Sequence, residues 1–142
     1  MRIRLLMLGK TRRPELRAIF DDYVKRVSRY VPVEVDEVRD AAAATKKLES
    51  RRPATVVLLD AAGKVFSSDA FAKWLGEQRD RATREIIFLC GDADGFPDNL
   101  RQRADQELSL SPLTFSHELA RVMLAEQLYR AFAILSGSPY PK

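Results

Sequence analysis

The chain has 142 residues, 46% of them hydrophobic and 31% charged, with a net charge of +4. That is enough for one domain that buries most of its apolar surface without a disulfide or structural metal, and the expected organisation is one domain over residues 1–142. A lone Cys90 and a lone His117 exclude an internal disulfide and leave too few ligands for a zinc site, which favours a reducing, cytoplasmic setting. No apolar run approaches the ~18 residues a membrane span needs.

Charge is unevenly spread. Residues 1–52 carry 14 Lys and Arg against 8 Asp and Glu, whereas residues 53–142 carry 10 against 12. A basic half suits a polyanionic partner, because cations gain affinity by releasing the counterions of phosphates. A solvated charged surface explains the same balance equally well.

Residues 2–9 open the chain with two basic positions and an apolar run too short for a secretory leader, so they read as a buried first strand. Pro14 fits a first helical turn, and Leu16, Ile19, Phe20, Tyr23, Val24 and Val27 then share one helical face, the helix stopping before Pro32. Val33 to Val38 alternates as a second strand. Asp40 caps an alanine-rich helix to about Ser50. Thr55 to Leu59 and Ile86 to Cys90 are apolar, β-branched runs of the kind buried on both faces of a sheet. Between them, Ser67 or Ser68 caps a helix carrying Phe71, Trp74 and Leu75. A short helix over 97–104, a strand over 106–110 and a long helix over about 116–136 complete the order.

Strands and helices alternating in this way predict an α/β fold, a parallel sheet covered by helices on both faces. Ligands of such sheets gather beyond the carboxyl ends of the strands. Three loops therefore stand out: 60–64, 91–95 and 109–115. Gly91 and Gly95 bracket the second, where glycine admits positive φ or a close ligand; the letters match neither a dinucleotide fingerprint nor a P-loop. In the third, Pro112 stiffens a run of apolar and hydroxyl residues whose backbone can read the edge of a flat heterocycle.

The last helix is apolar almost all round, its charges being Glu118, Arg121, Glu126 and Arg130. Such a helix must be covered on several sides, which suggests a homodimer. Glu126 and Arg130 suit an i,i+4 ion pair. His117, in the first turn, can accept a proton or orient a base, or serve as a structural hydrogen-bonder. Lys10, Arg12, Arg13 and Arg17 follow the first strand, so a basic patch coincides with the expected ligand rim.

Several of these segments resemble one family. Met7-Leu8-Gly9-Lys10, Leu59-Asp60-Ala61-Ala62-Gly63-Lys64, Leu108 to His117 and Arg121 to Phe132 are similar to the RlmH methyltransferases, a branch of the SPOUT superfamily, in matching order along the whole chain. The resemblance implies a carboxyl-terminal part threaded as a deep trefoil knot, a homodimer, and S-adenosylmethionine as methyl donor. It implies as acceptor a base nitrogen of pseudouridine in large-subunit ribosomal RNA, free or in the assembled ribosome. The donor is then expected against Leu59, Gly91, Leu110, Ser111, Pro112, Leu113, Thr114 and Phe115, and RNA against Lys10, Arg12, Arg13 and Arg17. Arg121 is expected to stabilise acceptor charge or position RNA, Tyr140 to face the acceptor base, and His117 to move a proton; no metal is called for. Two positions depart from the pattern. Asp92 stands where the family has a second glycine, and Pro141 where it has a histidine after the terminal tyrosine. The alternatives are a member that binds donor or RNA without turnover, and an unrelated nucleotide- or flavin-binding module.

Overall fold

The computed structural model describes residues 1–140. Pro141 lies outside the described residues. Chain order is β1 (Arg2–Leu8), α1 (Pro14–Val27), β2 (Val33–Val38), α2 (Ala41–Ser50), β3 (Thr55–Val65), α3 (Ser68–Asp80), β4 (Glu85–Cys90), α4 (Asp98–Arg101), β5 (Gln106–Ser109) and α5 (His117–Leu135). The strands form one parallel sheet in the order β2-β1-β4-β3-β5.

The central strands are apolar at every second residue on each side because both sides are covered. Ile3, Leu5, Met7, Val57, Ile86 and Phe88 meet Phe20, Phe71, Leu75, Leu124 and Leu128 from α1, α3 and α5. Leu6, Leu8, Val56, Leu58, Ile87 and Leu89 meet Ala44 and Leu48 of α2 and Leu100 of α4. Helix starts follow local chemistry: the side chains of Asp40, Ser67 and Ser116 accept from Ala43, Ala70 and Leu119 amides.

One expectation is corrected. Residues 60–64 are not a free loop, because β3 continues to Val65. Its pairing with β5 breaks after Leu59 and resumes at Lys64, so residues between form a bulge. Gly63 allows this: a Cβ there would stand 2.7 Å from the carbonyl carbon of Glu107.

The apolar α5 is covered in large part within the chain. It lies between α1 and α3 over the sheet and buries nine residues, among them Arg121 and Glu118, inside the chain. Only Leu119, Met123 and Ile134 of its large apolar residues stay open, each a little over a third exposed. The composition of α5 is thus largely satisfied within one chain. Among the described residues no helix is long and apolar enough to cross a membrane.

Candidate active site

At the bulge of β3 and the carboxyl ends of β4 and β5, three segments meet around one cleft of about 560 Å³, within the range of small-molecule sites. Leu59, Asp60 and Ala61 form one wall, Cys90 to Ala93 with Gly95 and Phe96 a second, and Leu110, Ser111 and Leu113 to Phe115 a third; His117 and Ala120 of α5 close it. Of the eight residues expected at the donor, all but Pro112 line this space.

The third wall is folded by its own hydroxyls. Ser109 Oγ donates to the Ser111 carbonyl and the Leu113 amide donates to Ser111 Oγ, both at 3.0 Å. Beyond that Leu113 amide, residues 113–115 enter no backbone hydrogen bond among the described residues, so the Leu113 carbonyl and the backbone groups of Thr114 and Phe115 remain available along the cleft. Apolar Leu59, Leu110, Leu113 and Phe115 surround those groups, an arrangement suited to a flat ring read at its edge.

The glycines of the second loop differ in their reasons. Gly95 has φ +77°, whereas at Gly91 the constraint is space: a Cβ would stand 3.2 Å from two ring carbons of Phe96. Asp92 lines the cleft, and its Oδ1 accepts from the Asp94 amide at 2.9 Å in a tight local turn.

Asp60, Phe96, Cys90, Arg101 and Ala120 belong to the cleft although sequence reasoning did not single them out as site residues. Asp60 accepts from the Ala62 amide at 2.9 Å and pairs with Arg101 at 2.5 Å, and these bonds hold its carboxyl below the usual range despite burial. Arg101 comes from the separate α4, which no spacing rule ties to β3. Burial pushes the Cys90 thiol up to about 12, against a small opposing pull from Arg121. A smaller cavity of about 130 Å³ lies behind Leu110 and Phe115, bounded by Phe71, Met123 and Gln127.

His117 lines the cleft, with Nε2 3.9 Å from the Glu118 carboxylate. Arg121 does not line it. It is wholly buried, donating from Nη2 to the Leu8 carbonyl at 2.6 Å and from Nη1 to the Thr11 hydroxyl at 3.0 Å, while Nε has no partner among the described residues. Burial lowers its pKa, partly offset by Cys90, Glu37 and Glu118. Tyr140 also lies off the cleft lining, donating to Glu126 Oε2 at 2.6 Å. Lys10, Arg12 and Arg13 are exposed on the loop after β1. Arg17 is not a free cation, since it pairs with Glu37 at 2.6 Å. No group of three His, Cys, Asp or Glu able to hold a metal occurs among the described residues.

Comparison with known proteins places this geometry. Residues 1–141 match the family described as "Predicted SPOUT methyltransferase". The chain is 42% identical over 151 aligned residues to a protein of Pelobacter propionicus named ribosomal RNA large subunit methyltransferase H, covering 99% of both. A protein of the same name from Koribacter versatilis is 39% identical, with 99% of this chain and 97% of that protein covered. Among solved structures, a probable methylase family protein from Haemophilus influenzae aligns at a TM-score of 0.57 and 11% identity, over 99% of this chain and 70% of that one. The SpoU methyltransferase AviRb from Streptomyces viridochromogenes aligns at 0.54 and 13% identity, over 97% of this chain and 61% of the other. At such identities the two structures speak for the fold alone.

Proposed function

Because the chain belongs to the SPOUT methyltransferase family, in its RlmH branch, we propose that the cleft at the ends of β3, β4 and β5 is where a methyl group passes from S-adenosylmethionine to a pseudouridine ring nitrogen of large-subunit ribosomal RNA. The protein is an S-adenosylmethionine-dependent ribosomal RNA methyltransferase. The observation that carries the site assignment is the convergence of the β3 bulge and the loops after β4 and β5 on one apolar cleft edged by the Leu113 carbonyl and the backbone groups of Thr114 and Phe115.

The residues present suit the donor. Gly91 keeps the second wall flat, Leu59, Leu110, Leu113 and Phe115 exclude water, and the backbone groups of Thr114 and Phe115 are free to take hydrogen bonds. When bound, the donor supplies an already electrophilic methyl carbon, so the protein's task is chiefly to hold two reactants in line. His117, at the border of the cleft, takes the proton that the acceptor nitrogen must lose. Arg121 has no open face toward the cleft and touches neither reactant.

Lys10, Arg12 and Arg13 are the cations assigned to RNA phosphates, with Arg17 supporting them from its pair with Glu37. The open strip of Leu119, Met123 and Ile134 on α5 supports a homodimer, and Tyr140, turned from its own cleft, meets the acceptor from the partner copy. The trefoil threading of the carboxyl-terminal part is taken with the family. A ribosomal substrate puts the enzyme's work in the cytoplasm.

The test is incubation of the purified protein with methyl-labelled donor and ribosomes, or their RNA, from a strain lacking the enzyme, followed by mapping of the label. Label on one pseudouridine of the large subunit is the expected result. Donor binding without transfer would favour a member that has lost turnover; donor bound elsewhere would overturn the site.

A further inference from the structure

The loop leaving β1 is held by charged side chains from three other elements. Glu37 of β2 accepts from the Thr11 amide at 2.9 Å, and Arg17 of α1 donates to the Thr11 carbonyl at 3.3 Å. The remaining ties come from the first turns of α5. Glu118 Oε1 accepts from the Arg13 amide at 3.0 Å, and Arg121 forks to the Leu8 carbonyl and the Thr11 hydroxyl. Glu118 is 8% exposed and Arg121 fully buried, yet the side chains of Lys10, Arg12 and Arg13 between these anchors are exposed. The anchoring is therefore through the loop's backbone and one hydroxyl, which leaves the side chains of Lys10, Arg12 and Arg13 exposed, with Arg13 paired to Glu15 at 3.1 Å.

A buried guanidinium whose Nε has no partner among the described residues is costly, and an apolar side chain of similar volume would cover Leu8 more cheaply. What an apolar residue cannot do is hold a carbonyl and a hydroxyl of a six-residue loop at fixed separation. Glu118 and Arg121 alternate along α5 with His117 and Ala120, which line the cleft. One helical turn thus touches the donor cleft with one face and the cationic loop with the next.

We propose that Glu118 and Arg121 are positioning residues for the acceptor RNA, fastening residues 8–13 to α5 so that Lys10, Arg12 and Arg13 form a fixed phosphate-binding array in register with the cleft. The inference rests on the assignment of those cations to RNA. A loop ordered in advance spares the complex the entropy of ordering it on binding. Neither side chain meets donor or acceptor, so their loss falls on RNA recognition.

The experiment compares wild type, Glu118→Ala, Glu118→Gln, Thr11→Val and a Lys10→Ala/Arg12→Ala double variant. Readouts are donor affinity by calorimetry, and kcat and KM for ribosomal RNA over a salt series. Glu118→Ala should raise the RNA KM about tenfold and flatten its salt dependence, with donor affinity within about twofold of wild type, while kcat is compared in Thr11→Val, which leaves the Glu118 carboxylate beside His117. Glu118→Gln, which keeps a carbonyl acceptor, should recover most of that loss; a general loss of packing would not be rescued in this way. Thr11→Val, which leaves both buried charges in place, should raise KM about threefold and carries the test if Glu118→Ala does not fold. An unchanged KM in Glu118→Ala or Thr11→Val, or a parallel fall in donor affinity, overturns the proposal. An unchanged KM in the Lys10/Arg12 variant overturns the RNA assignment itself and the proposal with it.

Discussion

The Tyr140 hydroxyl and the Arg130 guanidinium donate to the same oxygen of Glu126, at 2.6 and 2.7 Å, and the Tyr140 ring stands edge-on to Tyr129 at 4.6 Å. The tail is thereby fastened to the middle of α5 by a neutral phenol bonded to a carboxylate. Burial first, and then the bond to Glu126, raise the Tyr140 pKa above its ordinary value. The bond's contribution to stability is therefore full below a pH of about 10 and is lost as pH rises through the higher folded value. Tyr140→Phe should cost about 1 kcal/mol at neutral pH. It should also remove the last tyrosine to ionise in an ultraviolet titration. A phenol titrating normally in the wild type would contradict the arrangement.

Cys90 combines a position on the cleft with near-complete burial, and its thiol is pushed up to about 12. At pH 8 the thiolate fraction is then only ~10⁻⁴. A disulfide reagent should label the native protein very slowly and the denatured protein at once. Because the folded value is raised, the thiol's contribution to stability is present below its ordinary value and fades as pH climbs toward 12. Fast labelling of the native protein would mean that the second cleft wall opens.

Much of this architecture is legible in the residues. Asp40, Pro14 and the runs at Val56–Leu59 and Ile86–Cys90 mark their elements because caps, proline and apolar runs act within a few residues. The meeting of the three loops was also open to inference, since a parallel sheet brings the carboxyl ends of its strands to one edge. The bulge after Leu59 was not, because it depends on how β5 pairs with β3 across some fifty residues of chain. The role of Arg121 was equally hidden. An arginine on a helix is ordinarily an exposed cation, and only the fold reveals that Leu8 and Thr11 are its partners. Arg17 likewise reads as a free cation until Glu37 is placed beside it.

At the opposite end of the sheet, Glu85 is 3% exposed and takes bonds from Arg4 at 3.2 Å and from both Nε and Nη2 of Arg51 at 3.1 Å. Arg4, 6% exposed, also reaches Asp36 at 2.5 Å. Removing one member of such a group strands a buried charge, at a cost of about 3–5 kcal/mol. Glu85→Ala should fall near the lower figure, because Asp36 still faces Arg4. Urea unfolding measures the loss. Donor affinity should be unchanged, since the group lies at the amino ends of β1 and β4, away from the cleft. A joint loss of stability and donor binding would indicate that the two ends of the sheet are coupled.

Gly91 offers the sharpest test of the cleft. A Cβ at this position would already crowd two ring carbons of Phe96 at 3.2 Å, and the branches of valine would add volume to the second wall. Gly91→Val should therefore weaken S-adenosylmethionine binding by more than about tenfold, an effect of at least ~1.4 kcal/mol. Its melting temperature should shift by only a few degrees, because Phe96 is a ring that can turn aside toward the cleft. Gly137→Ala, off the cleft, is the control. Its Cβ would meet nothing within 4 Å, so its penalty comes from φ +77° alone, about 1 kcal/mol of stability with donor affinity little altered. If Gly91→Val bound the donor as wild type does, or Gly137→Ala lost it, the second wall drawn around Gly91 would have to be moved.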